Sequence, residues 1–218
     1  LKIKKLSYQG PFGVGYGVVS CKVTREDVRR SFAERYEILE KRAREERRAA
    51  EDDYVQLARH AIETIVRTGE PAARPQGLPS EMAERAGVFV SLKKDGELRG
   101  CIGTFEPTAK NIAEEIMKNA ASAALRDPRF PPVRADELDE LVYSVDVLTE
   151  PELVGSADDL DARRYGVIVE SRGRKGLLLP DLPGVDTAEE QLRIARKKGG
   201  IPEDAAIRIW RFEVTRHV

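Results

Sequence analysis

Val88-Phe89-Val90-Ser91-Leu92-Lys93-Lys94-Asp95-Gly96-Glu97-Leu98-Arg99-Gly100-Cys101-Ile102-Gly103-Thr104-Phe105 reads as a β-hairpin against which the remaining elements pack. The first five residues are β-branched, aromatic or aliphatic around one serine, and Asp95-Gly96 is a favoured two-residue turn. With Lys94 opposite Glu97 and an unbroken register, Leu92 faces Arg99 and Val90 faces Cys101 on one side. Phe89 then faces Ile102, and Ser91 faces Gly100, on the other. Apolar groups on both sides predict an interior hairpin strand with both faces covered. A slip of one residue would exchange the faces.

Leu98 to Gly103 holds one of only two cysteines, set between two glycines and beside an arginine. Glycine weakens a strand and marks a bulge or a close backbone approach. Two readings of Cys101 follow. It is a small buried hydrophobe, as most free cysteines are, or it is a nucleophile, redox thiol or substrate contact. A guanidinium nearby favours the thiolate. Cysteine nucleophiles normally need a base within hydrogen-bond reach, and neither His60 nor His217 is placed to serve. Papain-type chemistry is therefore not supported, although Asp127 or Asp146 could orient reacting groups.

Arg126-Asp127-Pro128-Arg129-Phe130-Pro131-Pro132 is too rich in proline for regular structure. It is either a rigid connector or a wall of a binding cleft, with Arg129 available to a carboxylate or phosphate. The basic runs Arg172-Gly173-Arg174-Lys175 and Arg193 to Lys198 read as solvated turn and helix surface.

The flanks supply helices and more strands. Tyr54, Leu57, Ala58, Ala61, Ile62 and Ile65 repeat at helical spacing within 52–68, with Gly69 as the stop. Thr108 is expected to cap a helix over 110–125, which Asp127-Pro128 ends. Strands are expected at 141–148, 166–170, 176–179 and 206–214, the last with Trp210 and Phe212 on one face. Thr187 and Glu190 have capping-box spacing for a helix to Lys198. There is no regular βαβ rhythm and no GxGxxG fingerprint. The fold class is α+β, a mixed and mostly antiparallel sheet with packed helices.

Composition narrows the function classes. Hydrophobic content is 41% with no apolar run near membrane-spanning length. Two distant cysteines are no secreted disulfide framework, so a soluble, cytoplasmic protein is expected. A net charge of −1, with no aromatics interleaved among the basic runs, does not indicate nucleic acid. Two histidines without ligand spacing predict no structural zinc. His60 reads as solvated and His217 as part of a frayed terminus. Residues 25–51 turn to charged helix formers and read as a linker helix. Leu1 in place of methionine implies a non-standard start or a piece of something longer.

Four stretches in order, LRGCIG, RDPRFPPV, VLTEPE and GLLLP, resemble the AMMECR domain family over Asp52 to the C-terminus. The resemblance implies two unequal lobes with the cysteine motif near a cleft between them. It points to Cys101 as the reactive group, with Arg99, Gly100, Gly103, Thr104, Asp127, Arg129 and Phe130 around a small anionic or nucleotide-like ligand. It names no cofactor. Such domains often occur beside MEMO-like and radical-SAM proteins in prokaryotes, which suggests a modification pathway with those partners. Residues 1–24 resemble the end of a MEMO-like or extradiol-dioxygenase-like domain, but without a histidine. The chain thus divides into 1–24, a charged linker at 25–51, and an AMMECR domain at 52–218. The alternative is a non-catalytic adaptor.

Overall fold

A computed structural model describes residues 2–9, 16–22 and 31–218. Residues 10–15 and 23–30, which the sequence reading assigns to the glycine-rich strand segment and the start of the charged helix, lie outside the described residues. The chain divides into two units, 1–47 and 48–218. In the first, β1 (Lys2–Gln9) and β2 (Tyr16–Lys22) pair antiparallel. A charged helix, α1 (Phe32–Ala50), runs across the boundary.

The second unit has two antiparallel four-stranded sheets. Its first helix is α2 (Asp53–Thr68), capped by Asp52, whose carboxylate accepts from the amides of Tyr54 and Val55. Gly69 ends it at φ 79°, the left-handed conformation that glycine adopts without strain. The hairpin β3 (Val88–Lys94) and β4 (Glu97–Thr104) follows, then α3 (Ile112–Leu125) and β5 (Leu141–Leu148). The helix starts later than the sequence suggests, because Asn111, and not Thr108, accepts from the Glu114 amide.

The smaller lobe holds β6 (Glu152–Val154), β7 (Gly166–Ser171), β8 (Arg174–Leu178) and α4 (Ala188–Gly199). The chain ends in β9 (Arg208–Phe212) and β10 (Val214–His217). The expected single terminal strand is therefore two, and they belong to different sheets. The orders are β10-β5-β3-β4 and β6-β9-β7-β8, with the switch at Glu213. There the Thr149 amide donates to the Glu213 carbonyl at 3.0 Å. His217 is not frayed: it pairs with Val145, stacks on Tyr54 at 3.9 Å and meets Asp52 through Nδ1 at 2.5 Å.

Burial explains the layers. Val88, Val90 and Leu92 face α2 and α3, while Val167, Val169 and Leu178 pack with Ala195 of α4. The opposite faces meet each other through Leu148, Ile168 and Phe212, joined by Phe89, Phe105 and Trp210. Two cross-strand glycines make room for this contact. The Phe89 ring covers Gly103, and the Phe212 ring covers Gly166, so a Cβ at either glycine would overlap the ring.

Gly100 is used differently: a Cβ there would run into the Ala123 carbonyl of α3. Gly100→Ala should destabilise by about 1–3 kcal/mol through forced separation of helix and sheet. Gly155→Ala, whose Cβ would meet nothing closer than 3.9 Å, should leave the urea midpoint nearly unchanged. Equal midpoints for the two variants would contradict the close approach.

Candidate functional site

The hairpin register differs from the sequence expectation, and the difference moves the thiol. Lys94 pairs with Glu97 and Lys93 with Leu98, but Leu92 then pairs with Gly100. Arg99 is the extra residue of a β-bulge, which shifts every later pair by one. Cys101 consequently faces Ser91, not Val90, and Gly103 faces Phe89. In the unbroken register Cys101 would share the helix-covered face with buried Val90. The bulge instead turns it to the face that looks toward the smaller lobe, where it is half-buried. Nor is the whole hairpin interior: β3 is flanked on both sides, while β4 is the edge strand.

Cys101 and Ser91 lie opposite each other at a site where neither backbone bonds the other, the closer kind of antiparallel pair. The Ser91 hydroxyl donates to Cys101 Sγ at 3.2 Å. The Cys101 N–H and C=O therefore point out from the sheet edge, and side chains satisfy both. The N–H donates to Asp127 Oδ2 at 2.9 Å, and the C=O accepts from Arg129 Nη2 at 3.0 Å. Arg129 closes the clamp with Nε and Nη2 on the two Asp127 oxygens, at 2.9 and 2.7 Å. The bidentate Arg129 contact, acting against burial, holds the Asp127 carboxyl well below the usual carboxylate range, and the Cys101 and Arg129 amides add to the effect.

Lys198, in the last turn of α4, completes the surroundings of the thiol. Its side chain is exposed overall, and partial desolvation of the ammonium pulls it below the ordinary lysine value. A charge on Cys101 opposes that shift and Arg129 reinforces it, which places all three within electrostatic reach. Among the described residues no carboxylate pairs with Lys198. Its position follows from another pair of glycines. Gly176 of β8 lies so close to α4 that a Cβ would strike the Ala195 carbonyl and the Gly199 nitrogen.

The remaining sequence candidates have structural partners. Arg99 binds Glu137 through Nε at 2.9 Å and Nη2 at 3.0 Å, and donates to the Pro131 and Pro132 carbonyls. It anchors the bulge to the proline-rich connector, and its guanidinium is committed there. Gly100 and Gly103 admit the α3 backbone and the Phe89 ring, so the bare main chain is covered by the fold itself. Thr104 donates to Glu115 at 2.6 Å and accepts from Asn119. Glu115 is buried. Burial pushes its carboxyl up, but donors from Thr104, Ala109 and Thr108 outweigh it and hold the group below its usual value. Phe130 is half-buried, with the Arg129 guanidinium 5.5 Å from its ring centre. Asp146 is taken by Arg216 at 2.8 Å and is not engaged with the thiol.

Sequence reasoning missed Ser91 and Lys198 as site members. A lone polar residue inside Val88–Leu92 was a usable signal for the first. The second was hidden in a basic run, with only the following Gly199-Gly200 to suggest a close approach. Among the described residues no group of three or more His, Cys, Asp or Glu is arranged to hold a metal ion.

These features define a two-lobed antiparallel α+β domain with a half-buried thiol where the lobes meet. The chain belongs to the AMMECR1 family, whose model matches residues 55–217. It is 54% identical over 170 residues to a Thermotoga maritima protein, covering 77% of this chain and 98% of that one. A Clostridium acetobutylicum protein is 48% identical over 214 residues, covering 97% of this chain. The chain spans only 45% of that relative's length. The crystal structure of an uncharacterised Pyrococcus horikoshii protein superposes with a TM-score of 0.69 at 37% identity, covering 75% of this chain and 88% of that one. The names of these relatives assign no activity. No helix among the described residues is long and apolar enough to cross a membrane.

The clamp gives a pH test. A carboxylate depressed in the folded state stabilises the fold above its unfolded value of about 4, and loses that contribution as pH falls through the folded value. Asp127→Asn should cost about 1.5–3 kcal/mol at pH 7, the range for hydrogen bonds to a charged group. The gap between wild type and variant in urea denaturation should narrow as pH falls from 5 toward 2. A gap that stays constant over that range would rule out the ionised clamp.

Proposed function

We propose that this protein binds a small anionic ligand, of a nucleotide-like or carboxylate class, beside Cys101 and acts on it through the thiol. The observation that carries the reading is the half-buried sulfur accepting from Ser91 while Lys198 stands near it without a carboxylate partner. A donated hydrogen bond favours sulfur in its anionic form. Lys198 supplies a positive charge near the thiol that the sequence did not offer. The thiol proton passes to solvent, leaving a thiolate near the Lys198 ammonium. The thiolate then forms a bond to an electrophilic carbon of the ligand, whose leaving group departs with the bonding electrons. Arg129 keeps its structural duty toward Asp127, so only a partial charge from its exposed side is left for the ligand's anionic group.

Domain division and setting belong to the same proposal. We read 52–218 as the working domain, 25–51 as a linker, and 1–24 as the end of a MEMO-like domain. A longer Clostridium relative that aligns along nearly the whole chain supports that reading. MEMO-like and radical-SAM proteins remain the partners that the family resemblance suggests. Cytoplasmic location is consistent with free Cys21 and Cys101. A second reading, protein adaptor, draws on Phe32, Tyr36 and Leu39 of α1, which follow helical spacing and are 69%, 65% and 62% exposed.

Charge selectivity of alkylation separates these readings. In a Cys21→Ser background, Cys101 should react with iodoacetate in preference to iodoacetamide, relative to a cysteine peptide. Lys198→Gln should lower that rate ratio about fivefold, equivalent to roughly 1 kcal/mol for one solvent-screened charge. Failure of Cys101 to label without denaturant, or a ratio indifferent to Lys198→Gln, would leave the adaptor reading in its place.

A further inference from the structure

Away from the thiol, α2 and α3 leave a groove of about 350 Å³ between them. Ala61 and Ile65 of α2, Ala72 beyond its end, and Met117, Ala121 and Leu125 of α3 form its apolar lining. The small side chains make the groove: alanine at 61, 72 and 121 stands where larger residues would close the two helices over it. Its polar lining residues are Lys118 and Arg126, one at each end of the α3 stripe. Eight residues of helix separate them, about 12 Å.

Neither cation meets a carboxylate directly. Elsewhere in this lobe Arg48, Arg59, Arg67, Lys94, Arg99 and Arg129 each meet a carboxylate. Lys118 donates to the Thr108 hydroxyl and Arg126 to the Ser122 hydroxyl, and no carboxylate among the described residues pairs with either. An apolar trough edged by Arg126, and by Lys118 whose bond to Thr108 relays it to Glu115, is complementary to a molecule with an apolar body and an anionic head. The volume lies at the lower end of the range for small-molecule sites, which suits a chain of about eight to ten carbons rather than a protein segment.

We infer that the α2–α3 groove binds a small anionic amphiphile of the medium-chain carboxylate class. The tail lies over Ala61, Met117 and Ala121, and the carboxylate meets Lys118 or Arg126. This site is distinct from the Cys101 site and stands whether or not that thiol is reactive.

The two methionines make the test direct. Met117 lines the groove and Met82 is fully buried in the core, so methyl-labelled methionine gives one reporter of binding and one of folding. Titration with octanoate should move the Met117 signal to saturation while the Met82 signal persists. Combined Lys118→Gln and Arg126→Gln substitution should weaken octanoate about tenfold and leave 1-octanol within twofold. Ala121→Phe should abolish the Met117 response by filling the trough. If that variant loses the Met82 signal, the charge variant, confined to exposed positions, decides the matter. No saturable shift up to 10 mM octanoate (roughly the weakest binding worth assigning, about 2.7 kcal/mol), or equal binding of octanoate and octanol by wild type, would overturn the inference.

Discussion

An edge strand must satisfy backbone groups that have no neighbouring strand, and in this fold that requirement falls on Cys101. β4 ends the sheet, so the outward N–H and C=O of Cys101 need partners from elsewhere. Asp127 accepts from one and Arg129 donates to the other, and the two side chains hold each other. A proline-rich segment thereby does the work of a missing strand over one residue. Because Asp127 follows directly on the cap of α3, the end of that helix and the thiol-bearing strand are fastened together. The arrangement also blocks the edge against pairing with another chain at this point, since both groups are occupied.

The bulge at Arg99 is the other half of the device. Strand side chains alternate, so one inserted residue moves every later side chain to the opposite face. Without it, Cys101 would join Val90 under the helices, and Gly100 would no longer lie beneath the Ala123 carbonyl. Arg99 holds the insertion by spending its guanidinium on Glu137 and on two carbonyls of the same proline-rich segment. Clamp and bulge therefore depend on one connector, which aims the sulfur and supports the strand that carries it. The chain closes the construction by crossing from the smaller sheet at Phe212 to the larger at Val214.

The parts of the fold governed by local periodicity were legible in the sequence. Helix α2 with its Gly69 stop, the hairpin turn at Asp95-Gly96, and the placing of Trp210 with Phe212 on one face all follow from short-range spacing, whereas the Asp52 cap came only from the structure. What escaped was set by partners distant in the chain. The bulge depends on Glu137 and the connector, thirty-odd residues away, and nothing between Leu98 and Gly103 announces which residue is extra. Thr108 has a capping residue's identity but gives its hydroxyl to buried Glu115, leaving Asn111 to cap α3. His217 is ordered by Tyr54 and Asp52, on a helix at the other end of the domain. The site was half legible for the same reason. Cys101, Asp127 and Arg129 stand in recognisable motifs, whereas Ser91 meets the sulfur through strand register and Lys198 comes within its electrostatic range through α4 packing.

The charge balance around the sulfur separates scaffold from chemistry. Arg129 is neutralised by Asp127, and Arg99 by Glu137, so neither leaves a full positive charge for a ligand. Lys198 is different: its exposed side chain is only partly desolvated at the ammonium, and no carboxylate among the described residues pairs with it. In the last turn of α4 its charge also complements the helix dipole. Arg129 disfavours that charge and a negative charge on Cys101 favours it, so a thiolate or a bound anion there would be offset by Lys198. The close Gly176–Gly199 contact keeps it there, because any larger residue at either position would push α4 off β8. Two glycines thus place near the thiol a positive charge that no carboxylate among the described residues balances, which is why the proposed chemistry is tested at Lys198 and not at either arginine of the motifs.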